Sequence, residues 1–154
     1  MAIPIPFSPV PLVLQNMLVF LAGVLLGPAR GMLAVALYLG LGTVGLPVFA
    51  GGAAGPATFA GPTGGYLAAY LPAAGAAGII SRRWATTAGV VAAAGAAAAL
   101  VLSAGAVWLA VVAELSPAEA LFLGVLPFLP GDLLKVIAVA AIWRRVRGVF
   151  EEGA

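Results

Sequence analysis

The chain has 154 residues, 64% of them hydrophobic and only 8% charged, with a net charge of +2. A water-soluble domain carries about 25% charged residues, so the composition excludes a fold that faces water all round. It predicts an all-α integral membrane protein, a single domain with room for about five or six spans of ~20 residues. Cysteine and histidine are both absent, which removes disulfides, thiolate nucleophiles, the commonest general base and the commonest metal ligand.

In chain order, residues 1–11 hold Pro4, Pro6, Pro9 and Pro11 and read as an extended, stiff segment on the outer side. They are not a signal peptide, since no basic stretch precedes an apolar core. Residues 12–28 read as a first span, broken only by Gln15 and Asn16, the only Gln and Asn present. Gly27-Pro28-Ala29-Arg30-Gly31 reads as a turn, and residues 32–47 as a second span. Residues 48–64 are irregular and glycine-rich, which permits positive φ and close backbone approach. Lipid does not tolerate exposed irregular backbone, so this loop is expected to pack inside protein or line a wet cavity. A third span, 65–80, runs into the basic turn Ser81-Arg82-Arg83. An Ala-rich fourth span covers 85–113. Residues 116–125 predict a short surface helix, with Ser116 as N-cap, Pro117 at N1 and Glu119 in the first turn. Pro127 and Pro130 then break the chain, and the last span, 131–147, starts with Asp132 as its N-cap.

Asp132 and Lys135 are the only Asp and the only Lys. Three apart on a helix, they share one face, with about 5–6 Å between Cβ atoms. A charge at mid-bilayer depth costs roughly 2.5–3.5 kcal/mol, and such residues are functional candidates by default. The alternative is a capping aspartate beside a lysine that snorkels to the headgroups.

All six arginines (Arg30, Arg82, Arg83, Arg144, Arg145, Arg147) follow the first, third and fifth spans. The positive-inside rule puts those turns and the C-terminus in the cytoplasm. The proline segment, the glycine loop, Glu114, Glu119 and Asp132 then share the outer face. The basic charge serves topology, so no nucleic-acid partner is expected. An outer N-terminus predicts a further helix upstream of Met1. Small residues recur every fourth position at Gly23, Gly27 and Gly31, at Ala69, Ala73 and Ala77, and at Gly89, Ala93 and Ala97. Such ridges serve either internal packing or the docking of another membrane subunit.

Catalysis is not expected. An aspartic site lacks its second Asp, a metal site lacks histidine, no serine sits in a nucleophile-like motif, and no phosphate-binding loop is present. No cofactor is implied. Binding remains: a pocket walled by Phe49, Tyr66 and Phe128, with Lys135, Asp132, Gln15, Asn16, Thr63 and glycine backbone at Gly65 as its polar groups. A few convergent polar groups in an apolar cavity suit a small molecule. Its carboxylate would pair with Lys135 and its N–H donors with Asp132.

Pro9-Val10-Pro11, Leu26-Gly27-Pro28-x-Arg30-Gly31, Gly61-Pro62-Thr63-Gly64-Gly65-Tyr66 and Pro130-Gly131-Asp132-x-x-Lys135 together resemble the BioY family, from about Ile3 to Arg147. These are the biotin-binding S components of energy-coupling factor (ECF) vitamin transporters. The resemblance implies a six-helix membrane fold in which the first two outer loops close over biotin. It implies a prokaryotic cytoplasmic-membrane protein that works with a transmembrane T component and a pair of A-component ATPases. Asp132 and Lys135 are the first expected ligand contacts, then Gln15, Asn16 and Tyr66. About five spans are visible, and the family's first helix, which helps contact the T component, is the one not seen. A membrane scaffold with Asp132–Lys135 as a structural cap pair, or an S component for another vitamin-like acid, are the alternatives.

Overall fold

The structure, a computed structural model, describes residues 2–3 and 12–152, with side chains over 14–147. Residues 4–11 hold all four early prolines, so the expected stiff outer segment lies outside the described residues. Short strands β1 (Ala2–Ile3) and β2 (Leu12–Val13) pair antiparallel. Everything else regular is helical: α1 (Gln15–Leu26), α2 (Pro28–Thr43), a 3₁₀ turn (Ala50–Gly52), α3 (Ala57–Ala60), α4 (Gly64–Arg83), α5 (Thr87–Val112), α6 (Pro117–Gly124) and α7 (Leu129–Glu152).

Several boundaries differ from the sequence reading, each for a local reason. The turn expected over 27–31 shrinks to Gly27, whose φ of 83° is left-handed, because Pro28 is a comfortable first helical residue. Gly31 lies inside α2 and lets it close on α1: a Cβ there would sit 2.8 Å from the Gly23 Cα. Ser81-Arg82-Arg83 is the last turn of α4 rather than a connecting turn, where cations complement the helix dipole. The surface helix is α6, closed by a capping box. The Glu119 carboxylate accepts from the Ser116 amide at 2.9 Å and hydroxyl at 2.6 Å, which holds its carboxyl below the usual value. That cap is complete above the ordinary carboxylate range and weakens as pH falls through the lowered value.

The expectation that Asp132 caps the last helix is corrected. Helix α7 begins at Leu129, so Asp132 lies in its first turn, and its amide already donates to the Phe128 carbonyl at 2.8 Å. Pro130 does not delay the helix, since a first-turn amide has no intrahelical partner to lose.

Helix α4 is the centre of the bundle, packed against α1, α2 and α5, while α7 lies on α5 and α1. The small-residue ridges are used inside. Ala69, Ala73, Ala77, Ala93 and Ala97 are buried, and a Cβ at Gly23 would run into the Ala74 carbonyl, with Ala77 Cβ at 2.9 Å. The outer surface is greasy: Leu37 is 61%, Leu134 68% and Val111 70% exposed. So much exposed apolar surface is not tolerated by a monomer in water. Helix α5, 26 residues, is long and apolar enough to cross a membrane alone, and α6 with α7 through Arg147 passes as a pair bent by 51°.

Side-chain bonds fix which ends meet. Arg82 donates to the Leu26 carbonyl at 3.2 Å and Arg147 to the Ala85 carbonyl at 2.6 Å, so the basic turns share one end. At the other end Asn16 reaches Asp132 and Trp108 reaches Gly61, so the amino ends of α1, α4 and α7 converge under the glycine loop.

Candidate functional site

On α7, Asp132, Lys135, Val136, Val139 and Ala140 are buried while Leu133, Leu134 and Ile137 are exposed. That is the spacing of one helix face turned inward, and it carries the chain's only Asp and Lys with it. Each is 4% exposed. Lys135 Nζ donates to Asp132 Oδ1 at 2.7 Å. The Asn16 amide donates to the same oxygen at 3.0 Å, and its own carbonyl oxygen accepts from the Met17 amide at 3.1 Å, which fixes the amide's orientation. The other carboxylate oxygen, Asp132 Oδ2, is buried with no partner, and so is Gln15 Nε2.

These groups face a cavity of about 60 Å³, several times the 10–15 Å³ by this measure that a single water requires. A buried polar atom left unpaired costs about 1–3 kcal/mol, more when charged. One acceptor and one donor, on two residues that line the cavity, are left without a protein partner. The buried lysine does not snorkel and Asp132 is not the N-cap; the pair instead ties α7 to α1 through Asn16.

The loop forms the cover. Phe49 is buried with its ring over Gly42, where a Cβ would overlap it, and it meets Tyr38 and Phe59 edge-on at 5.7 and 5.8 Å. The Gly55 amide donates to the Gly42 carbonyl at 2.7 Å, pinning the loop to α2. Gly51, Gly52 and Gly55 all have positive φ, which lets a short segment turn back over the cavity. Ala50, Ala53, Thr58 and Thr63 line the cavity from this side.

Of the residues singled out in the sequence, Asp132, Lys135, Gln15, Asn16, Tyr66, Thr63, Phe49 and Phe128 all line this cavity. Gly65 does not. It backs onto α5, where a Cβ would strike Trp108 and approach the Ala104 carbonyl at 2.9 Å, so its small size serves helix packing. Tyr66 presents its ring, since its hydroxyl donates to the Gly124 carbonyl at 2.7 Å. Sequence reasoning missed Tyr70, Leu67, Val101, Leu102, Ala50, Ala53 and Thr58. Tyr70 alone carried a signal, one helical turn beyond Tyr66.

The BioY family model matches residues 1–152. The biotin transporter BioY of Lactococcus lactis subsp. cremoris is 39% identical over 159 residues, covering 97% of this chain and 82% of that protein. The biotin transporter BioY of Rhodobacter capsulatus is 41% identical over 157 residues, covering 94% and 82%. Among solved structures, the S-component for biotin from an ECF-type ABC transporter superposes with a TM-score of 0.89 at 37% identity, covering 96% of this chain and 80% of that one.

Proposed function

The chain belongs to the BioY family, and from that premise we propose that it is the S subunit of an ECF-type transporter and captures biotin for uptake. It is a prokaryotic membrane protein built as a polytopic helix bundle. The observation that carries the binding reading is the buried Asp132 carboxylate on the cavity wall, half satisfied by Lys135 and Asn16 and without a partner on Oδ2. Biotin offers a ureido ring with two N–H groups and a carbonyl, an apolar thioether ring and a valerate carboxylate. Oδ2 accepts a ureido N–H, and Lys135 has spare protons for the ureido oxygen. The aromatic walls Phe49, Tyr66, Tyr70 and Phe128 hold the rings. This differs from pairing Lys135 with the ligand's carboxylate, because Lys135 and Asp132 are joined and so reach one end of the ligand. The carboxylate then sits away from that pair, toward the amino end of α4, whose dipole favours an anion and where Thr63 lines the cavity.

The test is equilibrium binding of tritiated biotin to purified protein in detergent, with lipoate as competitor. Lipoate has a sulfur ring and a valerate but no ureido group. Tight binding that lipoate does not displace, and that Asp132→Asn and Lys135→Ala each weaken at least about tenfold, is expected. A wild-type Kd of about 1 µM or weaker would remove the reading.

The site lies outside and the arginine end in the cytoplasm, with the C-terminus there too. The chain carries no cysteine, so single replacements report cleanly. A membrane-impermeant maleimide applied to intact cells is expected to label Ala60→Cys and spare Arg83→Cys; the reverse pattern would invert the topology. Energy would come from a T component and a pair of A-component ATPases, engaged through the membrane and the cytoplasmic end.

A further inference from the structure

Tyr66 stands in a slot made by two glycines. A Cβ at Gly105 would overlap its ring, and a Cβ at Gly124 would lie 2.7 Å from its hydroxyl oxygen. The slot directs the hydroxyl onto the Gly124 carbonyl at 2.7 Å in a buried bond joining residues 58 positions apart. Gly124 is the last residue of α6. Past it the chain bends, with the Val125 and Leu126 amides both returning to the Leu121 carbonyl and the Phe128 amide to the Val125 carbonyl. Among the described residues no backbone amide beyond α6 reaches the Gly124 carbonyl, so the tyrosine hydroxyl is what satisfies that carbonyl. The same ring lies 6.3 Å from that of Phe128, whose carbonyl receives the Asp132 amide.

We propose that Tyr66 is a positioning residue for biotin capture: through Gly124 and Phe128 it fixes the α6–α7 bend that sets Asp132 and Lys135 against Asn16. The proposal rests on the binding reading above and gives that site a control point on α4. The hydroxyl, occupied by the main chain, makes no contact with the ligand. Loss of its bond lets the first turn of α7 relax, and every ligand that uses Asp132 is affected alike.

The experiment compares dissociation constants of biotin, desthiobiotin and biotin amide for wild type, Tyr66→Phe, Gly124→Ala and the double variant, all in detergent. Tyr66→Phe is expected to weaken the three ligands by one common factor, roughly fivefold for one buried hydrogen bond. Gly124→Ala, which pushes the hydroxyl off the carbonyl, is expected to do the same. In the Tyr66→Phe background the hydroxyl is gone and the added methyl meets only the end of the Leu109 side chain, at 3.0 Å, so Gly124→Ala costs less than it does in wild type. In an Asp132→Asn background Tyr66→Phe loses its effect. Unequal losses across the ligands, additivity with Asp132→Asn, or unchanged affinity in Tyr66→Phe would each overturn the proposal. Should Tyr66→Phe not fold, Gly124→Ala with the three ligands decides it by the same criterion. Failure of wild type to bind biotin would instead overturn the functional reading, so the two outcomes are distinct.

Discussion

Asp132→Ala is expected to lose both biotin binding and much of the fold's stability, whereas replacing both charges, Asp132→Leu with Lys135→Met, is expected to lose binding alone. Both side chains are 4% exposed and joined at 2.7 Å. Removing one partner leaves the other charge buried without compensation, which costs about 3–5 kcal/mol. For a chain of this size that corresponds to a fall of roughly 6–20 °C in Tm. Removing both charges replaces an ion pair by apolar volume, a change that is neutral or stabilising by about 1–4 kcal/mol in comparable cases. Thermal unfolding in detergent, read beside tritiated-biotin binding, checks this. A double variant as unstable as the single one would mean that the pair is there for the fold rather than the ligand.

Gly42→Val is expected to raise the biotin dissociation rate on the order of 100-fold with a smaller effect on global stability. The Phe49 ring occupies the space a side chain at Gly42 would need, and the Gly55 amide holds the loop to the Gly42 carbonyl beside it. Expelling a buried phenylalanine costs about 3–5 kcal/mol, and here that loss falls on the cover of the cavity. The control is Gly40→Val, two residues earlier on α2, where a Cβ meets nothing within 4 Å. Rapid-dilution release of labelled biotin is the measurement. Equal rates for the two variants would show that Phe49 does not keep the site closed.

Much of this site could be read from residue chemistry because charge and amide are so scarce in the chain. A lone Asp, Lys, Gln and Asn in a greasy sequence stand out, and the structure brings all four to one cavity. The apolar lining could not be read in the same way. Leu67, Val101 and Leu102 look like every other core residue, because whether such a side chain meets a neighbour or a void depends on the packing of other helices. Gly65 was misplaced because its motif neighbours Thr63 and Tyr66 do line the cavity. What decides its role is Trp108, 43 positions away on α5. The helix ends shifted where proline was read as a stop: Pro28 and Pro130 both sit in first turns, where the missing amide costs nothing. Tyr66 shows the limit from the other side. Its presence at the site was legible, but the Gly124 carbonyl that takes its hydroxyl lies beyond any local pattern.

Asp132 is the only aspartate, so protein made with aspartate labelled by carbon-13 at the side-chain carboxyl carries a single reporter. The most direct measurement is its NMR resonance during titration with biotin. One shifted signal that saturates at one equivalent, and stays in place with lipoate, is the result expected when Oδ2 takes the ureido N–H. A resonance that does not move while biotin binds would place the ligand elsewhere and contradict the account.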